Sequence, residues 1–464
     1  MTLWMVHSSE TMTMNEATDS SIRRVAVVGP GEQAACGAVE CTVGTTVELD
    51  PLKLVTYCSG EWNPIIFDAF VLCGAVEFCD RRFERPRGWG RHFAVRVPVH
   101  ELKRWSDKRV SETLSDALAK LTGDRWDISF TQRKFKDPEI EQAHIHWPKP
   151  NSVILPFSDG MDSRAVATLF RGPELVLVRL GTKQIDHPKI EGRRQAFTTV
   201  PYAVPGRHFP ETSCRSRGFK FAMVGALAAY LSGSKRVVVP ESGQGMLGPV
   251  FCSHGPPDYR THPAFLTKMQ AFLHALLDVE IEFEFPRLWS TKGETLRAAI
   301  EAVATVPWRD TRSCWQPNTQ MSAGGRKRQC GFCAACMLRR LSVHAAGQSE
   351  VRTKYMLEDL SARSLEDGLA EGYDQEKFLG EAQQSYAVAG VAHLDQLATL
   401  FDLQRSRPGL QMQLRELARA LGESDETVEG KVRDLIGRHR AEWSAFLRSL
   451  SPHSFIRQRS MGVA

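Results

Sequence analysis

The stretch "VILPFSDGMDSRAVATLF", residues 153–170, decides how this chain is read. An apolar run ends at Phe157, mostly small or acidic residues follow, and a helical pattern starts at Ser163. Asp162 or Ser163 is placed to cap that helix. In such a strand-to-helix turn the backbone amides point outward together, and a helix N-terminus carries about half a unit of positive charge. The geometry therefore suits phosphate oxygens. Ser158 and Ser163 add hydroxyl donors. The Gly-Lys-Ser/Thr ending of a Walker loop is missing, which excludes that motif. The local sequence alone also fits a well-capped turn that binds nothing.

Outward from this loop, residues 153 to about 305 alternate strand and helix. "VILPF" and "SRAVATLF" are followed by "ELVLVRL", "FKFAMVGALAAYL", "RVVVPE", "PAFLTKMQAFLHALL", "EIEFEF" and "TLRAAIEAVA". That rhythm predicts a parallel sheet with helices on both faces and ligands at the strand C-terminal ends. Residues 22–148 read as β-rich, with "RRVAVV", "TTVELD", "LKLVTYC" and "HFAVRVPV" as short strands and "RVSETLSDALAKL" as a helix. "HWPKPNSV" marks a linker, residues 1–21 a loose tail, and residues 346–464 a helical region. Within the last, "LRELARALGESDETVEGKVRDL" resembles a helix-turn-helix. Its second helix carries Glu423, Asp425, Glu426, Glu429 and Asp434 against Lys431 and Arg433, a balance that phosphates would repel. Packing or partner binding is the better reading, and direct nucleic-acid binding is disfavoured.

Composition bounds the rest. With 464 residues, 42% hydrophobic and 24% charged, the chain fits a soluble protein of two or three domains. Its formal charge of +5 is too small to imply a nucleic-acid partner by itself. No apolar run approaches the roughly 18 residues of a membrane span. The opening residues lack the basic start and apolar centre of a secretory signal, so a cytoplasmic location is expected. Of eleven cysteines, four cluster as Cys314, Cys330, Cys333 and Cys336, which in such a chain reads as metal rather than disulfide. Four thiolates fill a tetrahedral zinc site and leave no open position, so the zinc would be structural. The spacing also admits an iron-sulfur cluster.

Two resemblances narrow the family. Ser-x-Gly-x-Asp-Ser after the first strand resembles the PP-loop of the N-type ATP pyrophosphatases, which bind ATP and release pyrophosphate. "SCW" followed by "CGFCAACMLRRLSV" resembles the zinc site of the 7-cyano-7-deazaguanine synthases (QueC). The order is similar too: loop, "SRGFKFAMVGALAAY" helix, a "STKGE" turn like that family's Ser-Lys-x-Glu, then the cysteines. The resemblance spans residues 150 to about 345. It implies a PP-loop, adenine nucleotide alpha hydrolase-like core over residues 149–345, between the β-rich N-terminal and helical C-terminal domains. The larger layout resembles the QueC-like proteins of Qat anti-phage systems, which implies a partner protein from a defence operon.

By that resemblance Phe157, Ser158, Asp159, Gly160, Met161, Asp162 and Ser163 hold ATP with Mg²⁺. Asp162, Arg217 and Lys292 act in catalysis, Arg215 being less favoured. The reaction implied is a ligase-type one: a small-molecule carboxylate attacks the α-phosphate, pyrophosphate leaves, and the acyl adenylate passes to ammonia or an amine. In the family the acid is 7-carboxy-7-deazaguanine and the acceptor ammonia. Glu241 and Gln244 in "PESGQGMLG", after the "RVVV" strand, are candidate substrate contacts. Plainer readings stand beside these: Arg217 as a solvated first-turn residue, "TKGE" as a capping box, Asp162 as a cap. Two departures are visible. Asp159 stands where PP-loops carry Gly, so its carboxylate either helps hold Mg²⁺ or weakens nucleotide binding. "YRTHPAFL" replaces the family's Tyr-Pro-Asp-Cys-Arg, which allows a different substrate or acceptor. A catalytically degenerate scaffold in a defence complex is the alternative function.

Overall fold

The structure, a computed structural model, describes residues 22–50, 54, 63–86, 90–135, 152–181, 189–190, 192–194, 196–206, 209–252, 257–303, 306–316, 321–323, 325–373, 379–404 and 408–460. The expected tail, the strand at "LKLVTYC" apart from Leu54, and most of the linker lie outside them.

The N-terminal region builds a sheet from β1 (Ile22–Val28), β2 (Val39–Thr42), β4 (His92–Val99) and β5 (Arg125–Gln132) in the order β2-β1-β4-β5, every pairing parallel. A short β3 (Glu48–Leu49) leaves this sheet to pair with Tyr202–Ala203. Helix α2 (Lys108–Thr122) is the expected one, opened by the Asp107 side chain on the Arg109 amide and closed by Gly123 at φ 73°. A 19-residue helix not anticipated from the sequence, α1 (Pro64–Arg82), is buried from Ile65 to Val76. One hydrophobic core runs from Phe93 and Leu118 through Phe219, Phe265 and Leu273 to Leu414 and Leu435.

The central sheet consists of β6 (Val153–Pro156), β7 (Leu175–Leu180), β8 (Ala196–Val200), β9 (Arg236–Val238) and β10 (Glu282–Glu284). Their order is β8-β7-β6-β9-β10, all parallel, as the strand-helix alternation implied. The chain starts in the middle at β6, winds outward through β7 and β8, then returns to the other side of β6 as β9. The strand order therefore reverses between β6 and β9, and such a switch point opens a crevice at the strand C-terminal ends. The helices α3 (Met161–Leu169), α4 (Arg217–Ser232), α5 (Gly243–Phe251), α6 (Pro263–Leu277) and α7 (Lys292–Ala302) surround the sheet.

Beyond the sheet, α8 (Ala334–Ala345) leads to α9 (Glu381–Ala398), α10 (Pro408–Leu421) and α11 (Asp425–Ser449). The α10–α11 pair has the helix-turn-helix spacing, with Gly422 at φ 66° in the turn. Leu414, Leu417, Val428, Val432 and Leu435 bury its inner face, and Lys431 and Arg433 are ion-paired to Glu423 and Glu429. The pair is thus a packing element. Among the described residues no helix is long and apolar enough to cross a membrane.

Candidate active site and metal centre

The loop after β6 enters helix α3 two residues earlier than the capping pattern predicts. Gly160 is the N-cap residue, with extended backbone at φ −76° and ψ 156°, so Asp162 and Ser163 lie inside the first turn and neither caps it. No side chain caps this terminus. The first turn's amides have no partner within the helix, since Arg164 N is the first to bond back, to the Gly160 carbonyl at 3.4 Å. The two serines brace the loop: Ser158 N donates to Ser163 Oγ at 3.2 Å, their hydroxyls are 2.7 Å apart, and Gly160 N donates to Ser158 Oγ at 3.1 Å. Phe157 and Met161 are buried, Phe157 beneath the Arg164 guanidinium at 4.8 Å from the ring centre.

Asp162 points to the switch point. Its Oδ2 accepts a hydrogen bond from Lys292 Nζ, the first residue of α7, and Glu241 Oε1 lies 3.9 Å from the same ammonium. The side chains of Asp162 and Lys292 are each 10% exposed and that of Glu241 27%. The strands after which these residues follow, β6, β9 and β10, stand side by side, so three loops separated by up to 130 residues deliver three charges to one crevice. Burial, and next the charge of Asp162, push the Glu241 carboxyl up to about 8. Burial works against the charge of Lys292, but Asp162 and Glu241 outweigh it and hold the ammonium above its ordinary value. Asp162 Oδ1 and Ser242 Oγ are buried without a hydrogen-bond partner. A divalent cation would relieve both the orphaned oxygen and the carboxylate crowding, so Asp162 and Glu241 fit Mg²⁺, which takes one or two carboxylates and completes its shell with phosphates and water. Gly245 is needed for this arrangement, because a Cβ there would sit 2.2 Å from Glu241 Oε1.

The remaining candidates are placed differently. Gln244 is fully committed: its Oε1 accepts from Lys292 N at 2.8 Å, and its Nε2 lies 2.7 Å from His439 Nδ1 and 3.3 Å from Glu442 Oε2. Its amide thus serves as a strut between α7 and α11. Arg217 is exposed at the start of α4, its guanidinium 5.5 Å from the Phe221 ring centre. Arg215 donates to the Pro257 carbonyl at 3.0 Å. Lys292 does start a capping box, with Thr291 Oγ accepting from Glu294 N at 3.0 Å and Glu294 Oε2 from Thr291 N at 2.8 Å. The box and the Asp162 contact coexist, because one uses the backbone and the other the side chain.

Sequence reasoning missed two arginines. Arg179, near the end of β7, grips Asp159 with both arms, at 2.7 and 2.9 Å. Asp159, 52% exposed, is therefore charge-compensated by protein. The signal was present as a lone cation in the apolar run "ELVLVRL". Arg260, in "YRTHPAFL", is ion-paired to Asp258, its backbone and Cβ abut Gly218, and its charge is felt by both Arg217 and Glu241. Its position beside the crevice depends on tertiary packing that no local pattern encodes.

Cys314, Cys330, Cys333 and Cys336 bring their sulfurs within 4.8 Å of one another, and the Cys330 and Cys336 sulfurs are 3.7 Å apart. Four sulfurs at about 2.3 Å from one zinc stand roughly 3.8 Å apart, so the donor set and spacing fit a single tetrahedral zinc. An iron-sulfur cube would spread its four cysteines farther. Gln329 Oε1 accepts from the amides of Ser313 and Cys314, and the buried Arg339 binds Glu350, Thr311 and the Trp308 carbonyl. The loop so pinned donates Arg312 N to the Asp159 carbonyl at 2.9 Å. A zinc held by these cysteines would therefore brace the loop after β6.

Residues 207–347 match the family model of the queuosine biosynthesis protein QueC. The match covers under a third of the chain and contains Arg217, Glu241, Gln244, Lys292 and the four cysteines; the loop at 157–163 precedes it. Together with the parallel-sheet core, it supports a QueC-like PP-loop domain of the ATP pyrophosphatase type. No curated protein and no solved structure matches the chain.

Proposed function

We propose that this chain is an ATP-dependent, AMP-forming ligase that activates a small-molecule carboxylate, a 7-deazaguanine acid or a close analogue, and passes the acyl group to ammonia or an amine. The observation that carries the reading is the convergence of Asp162, Glu241 and Lys292 at the switch point, beside a helix N-terminus that no side chain caps. The first-turn amides of α3 and the hydroxyls of Ser158 and Ser163 cradle the departing pyrophosphate. Asp162 and Glu241 hold Mg²⁺, which supplies charge neutralisation on the phosphates. Lys292 faces the charge that builds at the α-phosphorus as the acid's oxygen attacks and the bond to pyrophosphate breaks. Arg217 and Arg260 orient the attacking carboxylate.

The layout resembling Qat proteins supports a place in antiviral defence, with an amine on a partner protein as the acceptor. One observation favours the scaffold reading: Asp159 sets a fixed carboxylate on the loop, clasped by Arg179. Radiolabelled pyrophosphate exchange into ATP, run with a panel of acids, separates the two. Exchange that depends on 7-carboxy-7-deazaguanine or an analogue supports the ligase, and ATP binding without exchange for any acid supports the scaffold.

A further inference from the structure

The C-terminal helices lie outside the stretch matching the QueC family model, yet one reaches the backbone on both sides of Lys292. Glu442 of α11 takes the one hydroxyl proton of Thr291 on its Oε1 at 2.5 Å, while the lone pairs of that hydroxyl cap Glu294 N. On the other side of Lys292, a Cβ at Gly293 would meet Glu442 Oε1 at 3.0 Å and the Ala345 Cβ at 2.7 Å, so this turn lies flat against the carboxylate. The second oxygen of Glu442 accepts from Gln244 Nε2 at 3.3 Å, and Gln244 Oε1 accepts the amide of Lys292 itself at 2.8 Å. His439 fixes which way that Gln points. Its Nε2 donates to the Leu394 carbonyl at 2.9 Å, which leaves Nδ1 to accept from Gln244 at 2.7 Å. Burial keeps this imidazole neutral, pushing it down to about 4. The turn at Lys292 is thus hydrogen-bonded at residues 291 and 292, directly or through Gln244, to Glu442, and Gly293 lets it pack closely against the same carboxylate.

We propose that Glu442 is a positioning residue for Lys292, and that α11 thereby forms part of the active site's construction. The inference rests on the reading of Lys292 as the group that stabilises charge during adenylation. A displacement of about 1 Å at a catalytic group costs on the order of 100-fold in rate. Substrate binding on the loop after β6 does not pass through α11, so the loss should fall on kcat.

The test is a mutant cycle in the full chain with bound zinc: wild type, Glu442→Ala, Lys292→Met and the double variant, with Glu442→Gln as the milder change. AMP release and backbone hydrogen exchange at residues 291–295 are both read. Glu442→Ala should lower kcat by roughly 10- to 100-fold with KM for ATP changed less than about threefold. In the Lys292→Met background it should lower kcat no further, because its effect passes through the missing ammonium. Glu442→Gln still accepts from Thr291 but turns an amino group towards Gln244, so an intermediate rate is expected. Exchange at 291–295 should quicken in Glu442→Ala. Equal fold losses in both backgrounds would mean a general structural role and overturn the proposal, as would unchanged exchange. Should wild type release no AMP, the ligase reading fails, and the exchange measurement decides the positioning alone.

Discussion

The carboxylate pair at the switch point predicts an unusual pH dependence. Glu241, lifted from an ordinary 4.5 to about 8, keeps a proton in the folded chain that it loses in the unfolded one. A folded state that binds more protons loses stability as pH rises. The penalty is absent below pH 4.5, grows by about 1.4 kcal/mol per pH unit, and levels off above pH 8, so between pH 5 and pH 8 it amounts to about 3–4 kcal/mol. Glu241→Gln imitates the protonated group and cannot ionise. With about 2.1 cal/mol/K of unfolding entropy per residue, the difference in a chain of 464 residues is worth roughly 3–4 °C in Tm. Glu442, pushed up to about 7 by burial, titrates in both proteins and cancels in the comparison. Thermal unfolding at pH 5 should therefore give similar Tm values for the two, whereas at pH 8 the variant should be the more stable by that margin. Millimolar Mg²⁺ at pH 8 should narrow the gap by binding ionised wild type. Parallel Tm profiles from pH 5 to pH 8 would refute the burial of Glu241 beside Asp162 as the cause of a raised carboxyl.

Three further outcomes are expected. Elemental analysis should find one zinc per chain, and Cys333→Ser should lose it together with solubility, since metal-binding free energy at such a site is also folding free energy; a folded, metal-free wild type would contradict this. Asp159→Asn should free Arg179 towards the nucleotide and tighten ATP binding a few-fold at low salt without changing the Mg²⁺ requirement, measured by calorimetry; weaker binding would place the carboxylate in the metal site instead. Gly160→Val adds its first side-chain atom 3.1 Å from Ser158 Oγ and crowds the phosphate path, so ATP affinity should fall with Tm nearly unchanged. Unchanged affinity would reduce the loop to a turn.

Four of the five central strands were legible, β6, β7 and β9 as apolar β-branched runs and β10 as the alternating "EIEFEF", whereas the edge strand β8, "AFTTV", was not. The cysteines were legible because four ligands for one ion leave a spacing in the sequence. Helix α1 was not. Buried from Ile65 to Val76, it presents no polar face and hence no 3.6-residue alternation. The start of α3 was placed late because Asp162 and Ser163 are good capping residues, while the residue that takes the position is Gly160. Lys292 could be named from the "STKGE" turn and Glu241 from its place after the "RVVV" strand. Their meeting with Asp162, and the dependence of Lys292 on Glu442, arise only from the strand order and the packing of α11.

The most direct test follows the oxygen atoms. With ATP, Mg²⁺, ammonia and 7-carboxy-7-deazaguanine labelled with ¹⁸O in its carboxylate, attack on the α-phosphate moves one carboxylate oxygen to the nucleotide. Mass spectrometry should then find AMP carrying a single ¹⁸O beside unlabelled pyrophosphate. ADP with ¹⁸O in inorganic phosphate would mean attack at the γ-phosphate, and would contradict an adenylating site built on Asp162, Glu241 and Lys292.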